Sequence, residues 1–204
     1  MSTSLLLTFA QPDPEHAETF QSYVAASTEL AIAAGGEVSS RFQVRPVLGD
    51  TPAAIFGLAT FPSVDAIDEM FASKAYRALI PAREAGLRAV NAYAIEDAPL
   101  SELPDLDGDR VYLVTVAVPD PNGADALAAY QQAAGPLAAK HGGRPVAQLP
   151  VATHPVGDTP AAFVAVAEFP SATAVEAFFG DDDYAAVTEV RDRAFRVLNV
   201  YVTT

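Results

Sequence analysis

The sequence predicts an α+β fold built from two tandem βαββαβ units packed sheet to sheet. Three observations lead there. First, Gly49-Asp50-Thr51-Pro52-Ala53-Ala54 recurs as Gly157-Asp158-Thr159-Pro160-Ala161-Ala162, each followed by an apolar run and then by Phe61-Pro62-Ser63 or Phe169-Pro170-Ser171. Second, the repeat spans the chain. Pro12-Asp13-Pro14 matches Pro119-Asp120-Pro121, Tyr23 matches Tyr130, and Gly35-Gly36 matches Gly142-Gly143. Tyr76, Arg83, Arg88, Asn91 and Tyr93 match Tyr184, Arg191, Arg196, Asn199 and Tyr201. Third, the periodicity inside each copy reads strand, helix, strand, strand, helix, strand. Two long copies indicate a duplicated domain, whereas a solenoid stacks at least about three short units.

In the first copy, Ser4–Gln11 is a β-rich run ended by Pro12-Asp13-Pro14, a turn and helix-start signal. Glu15–Ala34 follows, with Phe20, Tyr23, Val24, Leu30 and Ile32 spaced for one helical face and Gly35-Gly36 at its end. Glu37–Val47 reads as extended, Leu48 to Pro52 as a turn, and Ala53–Phe61 as the third strand. Pro62-Ser63 opens a helical region from Val64 to about Leu87, with breaks expected near Ser73 and Pro81, and Ala89–Ile95 is the last strand. The second copy repeats this order from Val111 to Val202. Between them an acidic stretch carries Pro99, Pro104 and Gly108. The expected division is therefore 1–97 and 110–204, with 98–109 as linker.

The third strands, Ile55-Phe56-Gly57-Leu58-Ala59 and Phe163-Val164-Ala165-Val166-Ala167, do not alternate polar with apolar, as suits a strand buried on both faces. A lone βαββαβ unit covers one sheet face with its helices and leaves the other bare. Joining two ferredoxin-like halves as an intramolecular pseudo-dimer buries both bare faces, so a monomer is expected, with further self-association through free sheet edges open.

Composition narrows the function. Half of the 204 residues are apolar, enough for a sizeable core. A formal charge of −14 opposes nucleic acid and anionic membranes, which need clustered Lys and Arg. With no cysteine, disulfides and thiolate chemistry are excluded. The apolar stretch Leu5 to Ala10 is too short for a leader or a membrane span, so a cytoplasmic location is expected.

The order helix, Gly142-Gly143-Arg144, a strand ending Glu168-Phe169-Pro170, helix, Tyr184, Arg191 resembles the domain of unknown function 1330 family. The resemblance covers nearly the whole chain as two tandem copies. It implies the dimeric α+β barrel superfamily, to which the antibiotic biosynthesis monooxygenases belong, and an enclosed small-molecule pocket in each half. The first copy departs from the pattern, with Glu37 in place of Arg144 and Thr60 in place of Glu168.

Candidate chemistry gathers in the second copy. Glu168 interrupts an apolar strand, where a desolvated carboxylate would act as a general base or acid; the alternative is an ion pair with an arginine. Arg191, like Arg83, would grip a carboxylate or enolate, or else pair with a neighbouring acid. Tyr184, Tyr130, Tyr76 and Tyr23 are hydroxyl donors or core filler. Asn199 and Tyr201, like Asn91 and Tyr93, share one sheet face by their period of two. His154, on the second strand, has an imidazole suited to proton transfer. The three histidines His16, His141 and His154 lack ligand spacing, so neither metal nor haem is expected. No nucleotide-binding Gly-x-Gly-x-x-Gly or phosphate loop occurs, and no Gly-x-Ser-x-Gly elbow.

The expectation is a cofactor-independent enzyme acting on a small, mostly apolar metabolite by proton abstraction, isomerisation or cyclisation in the second repeat. Glu168, His154, Arg191 and Tyr184 are its candidate catalytic residues, with Tyr130, Asn199, Tyr201, Arg83 and Tyr76 lining the site. Two alternatives stand beside it: a cofactor-free monooxygenase, as the resemblance allows, and a non-catalytic binder of a hydrophobic ligand.

Overall fold

Leu5, Leu6, Leu7 and Phe9 form the core of the first strand, β1 (Ser4–Pro12), in a computed structural model that describes residues 3–98 and 110–203. The chain divides into two units. Apart from Ala98, the linker expected at 98–109 lies outside the described residues. Among the described residues no helix is long and apolar enough to cross a membrane.

Unit 1 comprises Met1–Val44, Thr51–Leu100 and Pro150–Thr159. After β1, the Asp13 carboxylate accepts from the Glu15 amide at 3.0 Å, starting a single 3-10 turn that leads into α1 (Ala17–Ala33). Gly35 ends that helix at φ +80°, a conformation that costs a residue with a Cβ, and the Gly36 amide reaches back to the Ala31 carbonyl at 2.8 Å. A hairpin of β2 (Glu37–Leu48) and β3 (Ile55–Phe61) follows. Two helices come next, α2 (Val64–Ala72) and α3 (Lys74–Gly86), then β4 (Leu87–Ile95). Ser63 caps α2 by accepting from the Ala66 amide at 3.1 Å, and Ser73 caps α3 by accepting from the Tyr76 amide at 3.0 Å. The expected break therefore falls at Ser73. Pro81 does not break the chain; it sits inside α3, where packing against α1 outweighs one missing backbone bond.

Strand order in unit 1 is β2-β3-β1-β4, with β3 and β4 antiparallel to the central β1, and β7 (Thr153–Val156) added at the β4 edge. The helices cover one sheet face, burying Tyr23, Ala31, Ile67, Met70 and Tyr76 against Leu6, Ala59, Phe61 and Ala92.

Unit 2 comprises Arg45–Asp50, Ser101–Leu149 and Pro160–Thr204. Its elements are β5 (Val111–Pro119), α4 (Ala124–Lys140), β6 (Arg144–Pro150), β8 (Phe163–Phe169), α5 (Ala172–Phe179), α6 (Asp182–Ala186), α7 (Thr188–Ala194) and β9 (Phe195–Thr203). The order is β6-β8-β5-β9. The single second strand expected here is split, because Pro150 supplies no amide and the chain then leaves as β7. Each unit thus takes in a short segment of the other repeat, 45–50 or 150–159, which the simple division of the sequence does not contain.

The expectation that the third strands are buried on both faces needs correction. On the helix-facing side of β3 and β8 the first residues, Ile55 and Gly57 in one and Phe163 and Ala165 in the other, are only half-buried, while Phe61 and Phe169 at the far ends are buried. In unit 1 the reason is a cavity.

Candidate functional site

That cavity has a volume of about 200 Å³ and lies in unit 1 between the sheet and the helices. Its floor follows from strand register. Arg41 of β2 pairs with Gly57 of β3, Gly57 with Thr8 of β1, Thr8 with Ala92 of β4, and Ala92 with Val156 of β7. Residues paired across strands share a face, and all five line the cavity. Small side chains at its centre leave room beneath α1. A Cβ added at Gly57 would meet no atom within 4 Å. The corresponding row in unit 2 is Ala165, Thr115 and Val200, so Gly57 becomes Ala and Ala92 becomes Val.

The opposite wall includes Phe20, Tyr23, Val24, Met70, Phe71 and Tyr76. The Tyr23 and Tyr76 hydroxyls lie 3.0 Å apart, and Arg83 Nη1 donates to the Tyr76 hydroxyl at 3.4 Å. Burial, and then the neighbouring Tyr76, hold the Tyr23 phenol far above its ordinary pKa, so it stays protonated and can donate. At the mouth, exposed Arg41 donates from Nη2 to Thr28 Oγ1 at 3.2 Å. Among the described residues neither carboxylate nor imidazole lines this space.

The same cluster of two tyrosines and an arginine recurs in unit 2 without counterparts of Arg41 or Gly57. Arg191, itself buried, donates from Nη1 to the Tyr184 hydroxyl at 3.2 Å, and the Tyr130 phenol is raised above its ordinary pKa first by burial and then by Tyr184 beside it. Arg191 also grips Asp192 with two nitrogens, at 2.9 and 2.8 Å. Phe178 and Phe179 crowd the Tyr184 ring, with centroids at 4.8 and 5.0 Å. In unit 1 the positions of Phe178 and Phe179 are held by Met70 and Phe71, with Phe71 edge-on to Tyr76 at 4.6 Å.

The remaining expected residues are dispersed. Glu168 is buried at 4% exposure, but its carboxylate is taken by Arg144 at 2.6 Å and Arg110 at 3.4 Å. That is the ion-pair alternative of the sequence reading. His154 belongs to unit 1 and stacks on Tyr93 with centroids 4.8 Å apart, so it and Glu168 fall in different units. Asn91 and Tyr93 hold a turn. The Asn91 carbonyl accepts from the Thr159 amide at 3.0 Å, and the Tyr93 hydroxyl donates to the Thr159 carbonyl at 2.8 Å. Asn199 likewise lies against Gly49, and Tyr201 is buried beside it on β9, its phenol pushed up to about 12 by burial. Of the expected residues, then, Tyr76 borders the unit 1 cavity and Arg83 stands behind it, while Tyr130, Tyr184 and Arg191 form the matching cluster in unit 2.

Sequence reasoning missed Arg41 and Gly57. The signal was present: both are points where the first copy differs from the second, whose β6 has arginine only at its start.

The family described as Domain of unknown function (DUF1330) matches residues 7–97 and again 110–203. The chain belongs to the DUF1330 family. Two DUF1330 copies thus account for both repeats. Among solved structures, an anthrone oxidase-like protein is 18% identical, with 99% of this chain and 91% of that one covered and a TM-score of 0.58. Chlorite dismutase from Candidatus Nitrospira defluvii is 13% identical, covering 100% and 91%, with a TM-score of 0.55. These likenesses show a shared fold with the DUF1330 chain. A comparison with curated proteins found no match.

Proposed function

We propose that this DUF1330 protein is a cofactor-independent enzyme that acts on a small, mostly apolar metabolite held in the cavity of unit 1. One observation carries this reading: an apolar space whose wall contains two hydrogen-bonded tyrosines backed by an arginine. At about 200 Å³ it falls below the roughly 300–1,000 Å³ of sites for drug-sized ligands, which suits a one- or two-ring compound.

A phenol kept neutral, as burial keeps Tyr23, donates a hydrogen bond to an oxygen that gains negative charge, and this lowers the barrier to enolisation. Arg83, donating to Tyr76, strengthens that hydroxyl as a donor. Because the described residues lining the space include neither carboxylate nor imidazole, the chemistry suits a substrate whose own C–H is acidic, with solvent taking the proton. Tautomerisation of an enolisable cyclic ketone is the reaction that fits best.

A second reading keeps the same site. The carbanion of such a ketone reacts with dioxygen, and the name of the anthrone oxidase-like structure favours testing it. Incubating the protein with 2-tetralone in D2O, while following deuterium incorporation and oxygen uptake together, separates the two. Faster deuteration that Tyr23→Phe and Tyr76→Phe each reduce supports tautomerisation, and oxygen uptake with the same dependence supports oxygenation. Neither effect above the rate in buffer refutes both.

A further inference from the structure

The cavity's two ends differ in charge, and that difference points to a ligand class. We propose that the ligands are small apolar acids, whose carboxylate is taken by Arg41 at the mouth while the body lies over Gly57. This rests on the reading of the unit 1 cavity as the binding site.

Arg41 and Gly57 are direct partners in the β2–β3 register, so they stand side by side on the cavity face. Gly57 sends nothing into the space, and a Cβ built there would meet open room. The guanidinium next to that gap carries five N–H donors and, among the described residues, donates to Thr28. Among the described residues it makes no ion pair, in a chain with 26 acidic residues against 12 Lys and Arg. Arg45 is matched with Glu176, Arg88 with Asp13 and Arg144 with Glu168, whereas Arg41 borders the cavity without such a partner among the described residues. A planar fork facing an apolar space, with donors unused, fits the two oxygens of a carboxylate.

Access is provided from outside. Phe20, Val24, Thr28 and Arg41 also border a shallow outer depression, completed by Gln21 and Ala25, so a charged group reaches Arg41 from solvent without crossing the apolar interior. Tyr23 and Thr28 are five residues apart on α1, roughly 7.5 Å along its axis at about 1.5 Å per residue. That spacing separates the arginine end from the tyrosine end by about the length of one ring. Unit 2 has neither feature, with Ala165 at the glycine position and no arginine inside β6.

The test compares 2-naphthoate with the neutral 2-naphthalenemethanol, by titration calorimetry on the full chain. Arg41→Gln, Arg41→Lys and Gly57→Val are measured beside the unaltered protein, and melting temperatures confirm that each variant folds. Arg41→Gln is expected to weaken 2-naphthoate at least tenfold, leave the alcohol within twofold, and be partly rescued by Arg41→Lys. Gly57→Val is expected to weaken both compounds. If Arg41→Gln affects both compounds equally, or neither, the acid assignment is overturned while Gly57→Val still reports on the cavity. If Gly57→Val changes neither affinity, or neither compound binds the unaltered protein, the cavity reading itself fails, and the proposal falls with it.

Discussion

The Tyr23 hydroxyl lies 3.0 Å from the Tyr76 hydroxyl, joining α1 to α3 at the wall of the unit 1 cavity. Fifty-three positions separate the two residues in sequence, and the same pairing recurs as Tyr130 with Tyr184. The contact is therefore an old feature of the repeat. What differs beside it is the row of residues on the sheet, Gly57 and Ala92 in unit 1 against Ala165 and Val200 in unit 2.

Replacing Tyr23 by Phe removes one partner of this pair and leaves Tyr76 with Arg83 alone. A stability loss of about 1 kcal/mol is expected, since one neutral hydrogen bond is exchanged for a methine edge. Chemical denaturation measures it. Turnover of an enolisable ketone should fall much further than stability, because the donor to the developing oxyanion is gone.

Glu168→Gln tests the ion pairs in unit 2. Arg144 and Arg110 lose their carboxylate partner, while the amide stays buried, so a loss of about 1–3 kcal/mol is expected in denaturant titrations. Ligand affinity in unit 1 should be unchanged. A catalytic role for Glu168 would instead show as lost turnover with intact stability.

Gly157 sits at φ +104°, with the Val90 carbonyl and Asn91 carboxamide packed where a Cβ would go. Gly157→Ala combines backbone strain with collision, and a loss of about 2 kcal/mol or more is expected in thermal unfolding. Asn91→Ala removes the acceptor for the Thr159 amide and should destabilise the same turn by about 1–2 kcal/mol.

His154 predicts a pH dependence. Burial lowers its pKa below the usual 6.5, and its Nε2 is buried without a hydrogen-bond partner. The unfolded chain then binds a proton more readily than the folded one, so stability rises with pH across the interval up to about 6.5 and levels off above it. Acidification through that interval should lower the melting temperature more for the unaltered protein than for His154→Phe. The nearby Asp158 partly offsets the effect. Equal slopes for the two proteins would contradict it.

Much of the fold was legible because its signals are local or repeated. Pro12-Asp13-Pro14, Gly35-Gly36 and Ser63 mark element ends by their own backbone chemistry, and each acts in the structure as those residue types predict. Pro81 misled, since helix packing overrode a local breaker. The site was less legible. Glu168 stands out because its strand is apolar, but its ion-pair partners, Arg110 and Arg144, are 58 and 24 positions away and no local pattern identifies them. Asn91 and Tyr93 share a face as their spacing requires, but what they hold, Thr159, depends on a register that no local pattern encodes. The cavity depends on a few carbon atoms at Gly57 and Ala92, against Ala165 and Val200, a difference visible only once both rows are placed on one sheet face.

The most direct measurement of the central claim is the affinity of 2-tetralone for the unaltered protein, Gly57→Val and Ala165→Val, determined by titration calorimetry under one set of conditions. Binding in unit 1 predicts that Gly57→Val weakens the ketone at least tenfold while Ala165→Val leaves it unchanged. The reverse pattern, or equal affinity in all three proteins, would contradict a site in the first unit.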